Sequence, residues 1–206
     1  MAGSDLDRLW WMGFVFRQPV TCHGDIRKVM PLGKDLTEHL LADAAAFTAR
    51  RQGRRGVGSS SAQKIPRLIV QTAKADRIPK SMKDNMQKLI DMNPEYEHHY
   101  YSDTRARAFI AQHFDQDTLK AFDIVNGGAF KADLFRYCFL YVHGGVYLDV
   151  DLEPVRPLSL LIKDDDELLS AEDCGSGGIY NAIMAAVPQH RFLKVALHEA
   201  ASRVLQ

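Results

Sequence analysis

From Lys64 onward, short apolar runs alternate with stretches in which apolar residues recur every three or four positions. The first pattern fits buried strands and the second amphipathic helices. Their alternation predicts an α/β domain with a mostly parallel sheet. Leu68-Ile69-Val70 forms the first strand. Residues 79–92 form a helix with Met82, Met86, Leu89 and Ile90 inward; Asn93-Pro94 ends it, because a residue before proline avoids helical backbone. A second strand covers 97–101. Helices follow at 104–114 and 118–125, the first capped at Ser102-Asp103. Asn126-Gly127-Gly128 breaks the chain, 129–143 is a long helix, and a strand then runs from Gly144-Gly145 through Asp149 and Asp151. Leu168 to Ala171 is a later strand, Asn181 stands where it can cap a helix, and 192–205 is the last helix.

Residues 1–63 carry weaker periodicity. Leu36, Leu40, Leu41, Ala44, Ala45 and Phe47 define one amphipathic helix over 36–50, followed by a Gly/Ser/Arg stretch at 50–61 with linker composition. A helical or flexible N-terminal extension therefore precedes a domain at 64–206. Its arginines lack interleaved aromatics, which favours a solvated linker over an anion-binding surface. No stretch reaches the roughly 20 apolar residues of a membrane span. The run 9–16 is short and follows Asp5 and Asp7, where a secretory signal needs positive charge.

Composition narrows the partner. The chain has 206 residues, 46% hydrophobic and 25% charged, as expected for one domain with a real core. With 26 basic and 26 acidic side chains, no long-range field favours nucleic acid. Cys22, Cys138 and Cys174 fit neither a disulfide framework nor a zinc site, and Cys138 belongs to core packing. His143, His190 and His198 lack the spacing of zinc ligands and are structural. Asp164 to Glu167 is a solvated acidic loop, whereas Glu172-Asp173 follows a predicted strand and stays open.

The chemistry concentrates between Asp133 and Asp151. Strand alternation puts Tyr147, Asp149 and Asp151 on one face, the carboxylates about 7 Å apart. Two ionised acids ending an apolar strand repel each other and are costly to desolvate, which a hard divalent cation relieves. They can also cap the following turn. Asp133 and Arg136 share a helix face and can pair. Flanked by Leu134, Phe135, Tyr137 and Phe139, they belong to a buried helix and need specific partners. Gly144 and Gly145 supply a tight helix-to-strand turn.

These residues carry a resemblance to a known family. Ile65-Pro-Arg-Leu-Ile-Val-Gln-Thr72, Asn93-Pro-Glu-Tyr-Glu97, Ala132-Asp-Leu-Phe-Arg-Tyr137 and Gly144-Gly-Val-Tyr-Leu-Asp-Val-Asp151 together resemble the DXD-motif sugar transferases of glycosyltransferase family 32, relatives of fungal Golgi mannosyltransferases and of large glucosylating toxins. The resemblance implies a GT-A-like Rossmann sandwich that transfers a hexose, with retention, from a UDP-sugar or GDP-mannose to a glycan or protein acceptor. It implies Mn²⁺ or Mg²⁺ on Asp151 and Asp149, with Asp149 reaching the ribose or donor sugar and Asp133 and Arg136 facing the sugar hydroxyls. Gln71 and Thr72 lie at the nucleotide end of the first strand; Ala73 stands where the family has tryptophan. Tyr147 packs under sugar or base, or is a strand aromatic. Asn181 lines the acceptor side, or caps a helix.

Family domains continue beyond 192–205, so a C-terminally short domain is expected. A complete chain implies a cytoplasmic setting, and one preceded by an anchor the Golgi lumen. The alternatives are a non-catalytic nucleotide-sugar-binding remnant and a D-x-D phosphohydrolase with Asp149 as nucleophile. The latter wants its motif on an early strand, and here Leu152-Glu153-Pro154 follows it late.

Overall fold

The computed structural model describes residues 63–172 and 179–206, and the side chains of 63–171 and 179–206. The predicted helix at 36–50, the linker at 50–61, the 9–16 run, Cys22, Cys174, the Glu172 side chain and Asp173 lie outside the described residues. The larger compact unit is Gln63–Leu169 with Asn181–Gln206. Ser170–Tyr180 belongs to a second, within which Ser170 Oγ donates to the Tyr180 carbonyl at 3.3 Å.

Along the chain come β1 (Leu68–Ala73), α1 (Lys80–Met92), β2 (Glu97–Ser102), α2 (Asp103–His113), α3 (Gln116–Ile124), α4 (Gly128–His143), β3 (Gly145–Leu148), a 3₁₀ turn (Leu158–Leu160), β4 (Leu168–Glu172), β5 (Ile179–Ala186) and α5 (Arg191–Leu205). The five-stranded sheet has the order β2-β1-β3-β5-β4. β1 pairs in parallel with β2 and β3, and β3 pairs antiparallel with β5. The expected α/β sandwich with a mostly parallel sheet is the observed architecture.

Register divides the two faces of the sheet. Ile69 pairs with His98 and Val146, so these side chains share a face. That face carries the core of Ile65, Ile69, Leu89, Tyr96, Val146, Leu148 and Leu158. Val70 pairs with His99 and Tyr147, and this opposite face meets α4 and α2 through Tyr101, Phe109, Phe135 and Phe139. Phe135 and Phe139 are fully buried, each worth about 2–3 kcal/mol.

Two expected element ends differ. β5 covers residues read as a helix start, so Asn181 is a strand residue and no cap. Ser102 stands at the N-cap of α2 without a capping hydrogen bond from its side chain, whereas Asp115 caps α3 by accepting from the Thr118 amide at 2.8 Å. The turn from α4 into β3 needs its glycines. Gly144 and Gly145 have φ of +67° and +96°, and a Cβ on Gly145 would lie 2.7 Å from the Leu68 carbonyl oxygen. Their close fit seats β3 against β1 and delivers Asp149 to the carboxyl end of both strands.

Candidate functional site

α4 is apolar nearly all round, with Leu134, Phe135, Cys138, Phe139 and Leu140 buried, so it carries Asp133 and Arg136 inward with them. Buried charge needs partners, and both residues have them. Arg136 Nη2 lies 2.7 Å from Asp133 Oδ1 and 3.5 Å from Asp149 Oδ1. Its Nη1 donates to the Asn181 carbonyl and its Nε to the Ala132 carbonyl at 3.3 Å. The guanidinium sits 4.3 Å from the centroid of the Tyr147 ring, a cation–π contact in a desolvated place. Asn181 Nδ2 donates to Asp133 Oδ1 at 2.9 Å, so β5 closes the network through both backbone and side chain.

β3 supplies the remaining members. Tyr147 is fully buried, its hydroxyl donating to Asp149 Oδ1 at 2.6 Å. Of its two expected roles, the observed contacts are those of a strand aromatic that carries Arg136 on its ring. The strand ends at Leu148, and the Leu152 amide closes a turn onto the Asp149 carbonyl at 3.2 Å. Strand alternation therefore stops before Asp151, and the expected shared face of the two carboxylates is replaced by a turn. Side-chain exposure rises from 3% at Arg136 through 11% at Asp133 to 31% at Asp149, with Asp151 exposed beyond. The network thus opens to solvent at Asp149. Among the described residues, Arg136, the Asn181 amide and the Tyr147 hydroxyl meet Asp133 and Asp149 at Oδ1. A carboxylate accepts at both of its oxygens, so each still has capacity for a bound hydroxyl.

Electrostatics follow from the burial. Desolvation pushes Asp133 up to about 7, with Asp149 adding to the rise while Arg136 and Asn181 oppose it. Asp149 is raised as well, chiefly by burial, against the pull of Arg136 and the Tyr147 hydroxyl and with a further push from Asp151. A cation beside Asp151 would relieve that last repulsion. Among the described residues, no three His, Cys, Asp or Glu side chains gather into a protein cage. Two hard carboxylates at an open turn fit Mg²⁺ or Mn²⁺, which takes its other ligands from water and phosphate oxygens.

The other expected site residues are placed differently. Gln71 is buried behind the turn, where Nε2 donates to the Asp149 carbonyl at 3.3 Å and Oε1 lies 2.9 Å from His98 Nε2. Thr72 Oγ1 donates to the Tyr101 carbonyl at 2.8 Å. The structure brings Asp133, Arg136, Tyr147 and Asp149 together, with Gln71 beneath them, Thr72 facing β2 and Asp151 at the rim. His190 caps α5, its Nδ1 accepting from the Phe192 amide at 3.2 Å. In the acidic loop, Asp166 accepts from the Lys163 amide at 2.9 Å and Glu167 pairs with Lys64 at 2.5 Å. Sequence reasoning missed the grip of Asn181 on Asp133 and the contact of His98 with Gln71. Reading β5 as a strand would have found the first, and pairing β1 with β2 the second.

The chain is similar to known proteins in sequence and in fold. Residues 79–173 match the family model described as the glycosyltransferase sugar-binding region containing the DXD motif. A mannosyl phosphorylinositol ceramide synthase of Saccharomyces cerevisiae is 31% identical over 141 residues, 66% of this chain and 34% of that protein. Inositol phosphoceramide mannosyltransferase 2 of Schizosaccharomyces pombe is 30% identical over 139 residues, 65% of this chain and 37% of the relative. The chain thus spans about a third of the length of these curated relatives. Among solved structures, the PaToxG glycosyltransferase superposes with a TM-score of 0.54 at 13% identity, covering 84% of this chain and 72% of its own, and shares the fold.

Proposed function

We propose that the chain, which carries the DXD-motif sugar-binding region of the glycosyltransferases, moves a hexose from a nucleotide-sugar donor to an acceptor hydroxyl. The observation that carries this reading is the buried Asp133–Arg136–Asp149 network, which reaches solvent beside Asp151 at the carboxyl end of parallel strands. Ligands of open α/β sheets bind at such ends. Mannose comes first among donor sugars because both fungal relatives are named for its transfer, and their names put inositol phosphoceramide beside glycans and proteins as an acceptor to test.

In this reading the carboxylates of Asp133 and Asp149 accept from donor-sugar hydroxyls. Arg136 keeps both carboxylates aligned, and Tyr147 and Asn181 hold the arginine and its partner in place. Asp151, with Asp149 beside it, would hold Mn²⁺ or Mg²⁺, which supplies Lewis-acid neutralisation of the diphosphate. Such transfer need not use the paired nucleophile and acid of glycoside hydrolases, so neither carboxylate beside Arg136 is assigned as a nucleophile. Transfer with retention then rests on holding donor and acceptor together and on charge stabilisation at the leaving group.

Calorimetric titration with GDP-mannose and UDP-sugars, with and without Mn²⁺, tests the reading. The expected result is metal-dependent binding of one nucleotide sugar that Asp151→Asn abolishes while the fold persists. A folded wild-type chain that binds no donor would overturn it, and one that binds donor with metal but transfers no sugar to any acceptor would be the non-catalytic nucleotide-sugar-binding remnant instead.

A further inference from the structure

The backbone of Asp149 is held as firmly as its carboxylate, and from the other side of the sheet. Its amide donates to the Ala182 carbonyl at 2.9 Å, tying the residue to β5. Its carbonyl receives two donors, the Leu152 amide that closes the turn and the Gln71 amide from β1. Gln71 pairs in register with Tyr100, so Gln71 and His98 project from the face that carries Ile69 and α1. Tyr147 and Arg136 approach from the face of α4. The turn is thus gripped from both faces, and the grip from beneath ends on His98.

The donor roles follow from the partners. A carbonyl can only accept, so the Gln71 end that meets Asp149 is its NH₂ group and the end that meets His98 is its oxygen. His98 Nε2 must then carry a proton. Burial, with a smaller repulsion from the charge of His99, lowers His98 below the usual histidine range, so its neutral Nε2–H form serves at neutral pH. A free Gln71 amide could turn away from a 3.3 Å contact; one fixed at its oxygen by a 2.9 Å bond cannot do so without losing both.

We propose that His98 is a positioning residue for the carboxylate turn, acting through Gln71 to fix the backbone of Asp149 and so the placement of Asp149 and Asp151. The proposal rests on the transferase reading for its consequence, donor binding, and not for its geometry. It also accounts for a polar pair on an otherwise apolar face, where a buried amide must be satisfied at both ends.

The test uses the full chain with His98→Phe, which keeps an aromatic ring and removes the donor, His98→Gln, which restores an N–H, and Gln71→Leu. Hydrogen exchange of the Leu152 amide reports the turn directly, and Mn²⁺ with GDP-mannose or UDP-sugars reports the site. Expected are faster Leu152 exchange and binding weaker by about tenfold in His98→Phe, as for other residues that support metal ligands from behind. His98→Gln should recover most of both. Adding His98→Phe to Gln71→Leu should cost nothing more, because His98 acts through Gln71. Leu152 protection and binding unchanged in His98→Phe would overturn the proposal, as would full additivity of the two substitutions. A wild type that binds no donor, yet has a His98-sensitive turn, would refute the transferase reading and support the positioning role.

Discussion

Arg107 and Arg136 each meet an aspartate at 2.7 Å, but in different geometry and surroundings. Arg107 forks onto both oxygens of Asp123 between α2 and α3, with 52% of its side chain exposed. Arg136 is 3% exposed and shares one nitrogen between Asp133 and Asp149. Water screens the first pair and competes for it, so its good geometry contributes little. The second has no water to fall back on. Fold stability alone would often be served as well by apolar side chains at these positions, which is why we propose that a ligand completes the balance where this interlocked set of charges opens to solvent.

Removing the buried cation gives the largest expected effect. Arg136→Met leaves buried Asp133 and half-buried Asp149 without their counter-charge and should cost about 3–5 kcal/mol in denaturant unfolding, together with donor binding. Arg107→Ala marks the other end of the scale, with an unfolding midpoint and donor affinity like those of wild type. Equal losses in the two variants would show that burial does not distinguish the pairs.

Between these lies a pH effect. Burial raises Asp133 above its unfolded value, so its share of stability is fully present below pH 3.8 and lost as pH climbs through about 7. Relative to Asp133→Asn, wild type should therefore lose stability across that window. Urea unfolding at several pH values checks it, and parallel curves for the two proteins would contradict the placement of Asp133 in the interior.

Much of this was legible in the chain. Alternating apolar runs and helical periodicity gave the element order, because burial of one face writes itself into residue spacing. The apolar setting of Asp133 and Arg136 exposed their pairing for the same reason. What stayed hidden was decided by contacts between distant segments. Tyr180-Asn181-Ala182 sits in a run of small and apolar residues that suits a helix start or a strand equally, and it is the residues just after it, Ile183 to Ala186, that pair with β3 and fix β5 as a strand. The strand alternation drawn through Asp151 failed because the Leu152 amide turns the chain at Asp149. Gln71 lies at the expected strand end, but register with β2 gives it His98 and Asp149 as partners.

We propose that Asp133, in the buried network, holds the sugar of the donor and not its nucleotide. Measuring the affinities of GDP-mannose and GDP, each with Mn²⁺, for wild type and Asp133→Asn tests this most directly. The account predicts that the substitution weakens GDP-mannose by about tenfold or more, the size of a lost hydrogen bond to a charged group, and leaves GDP nearly unchanged. An unchanged ratio of the two affinities in a folded variant would contradict it.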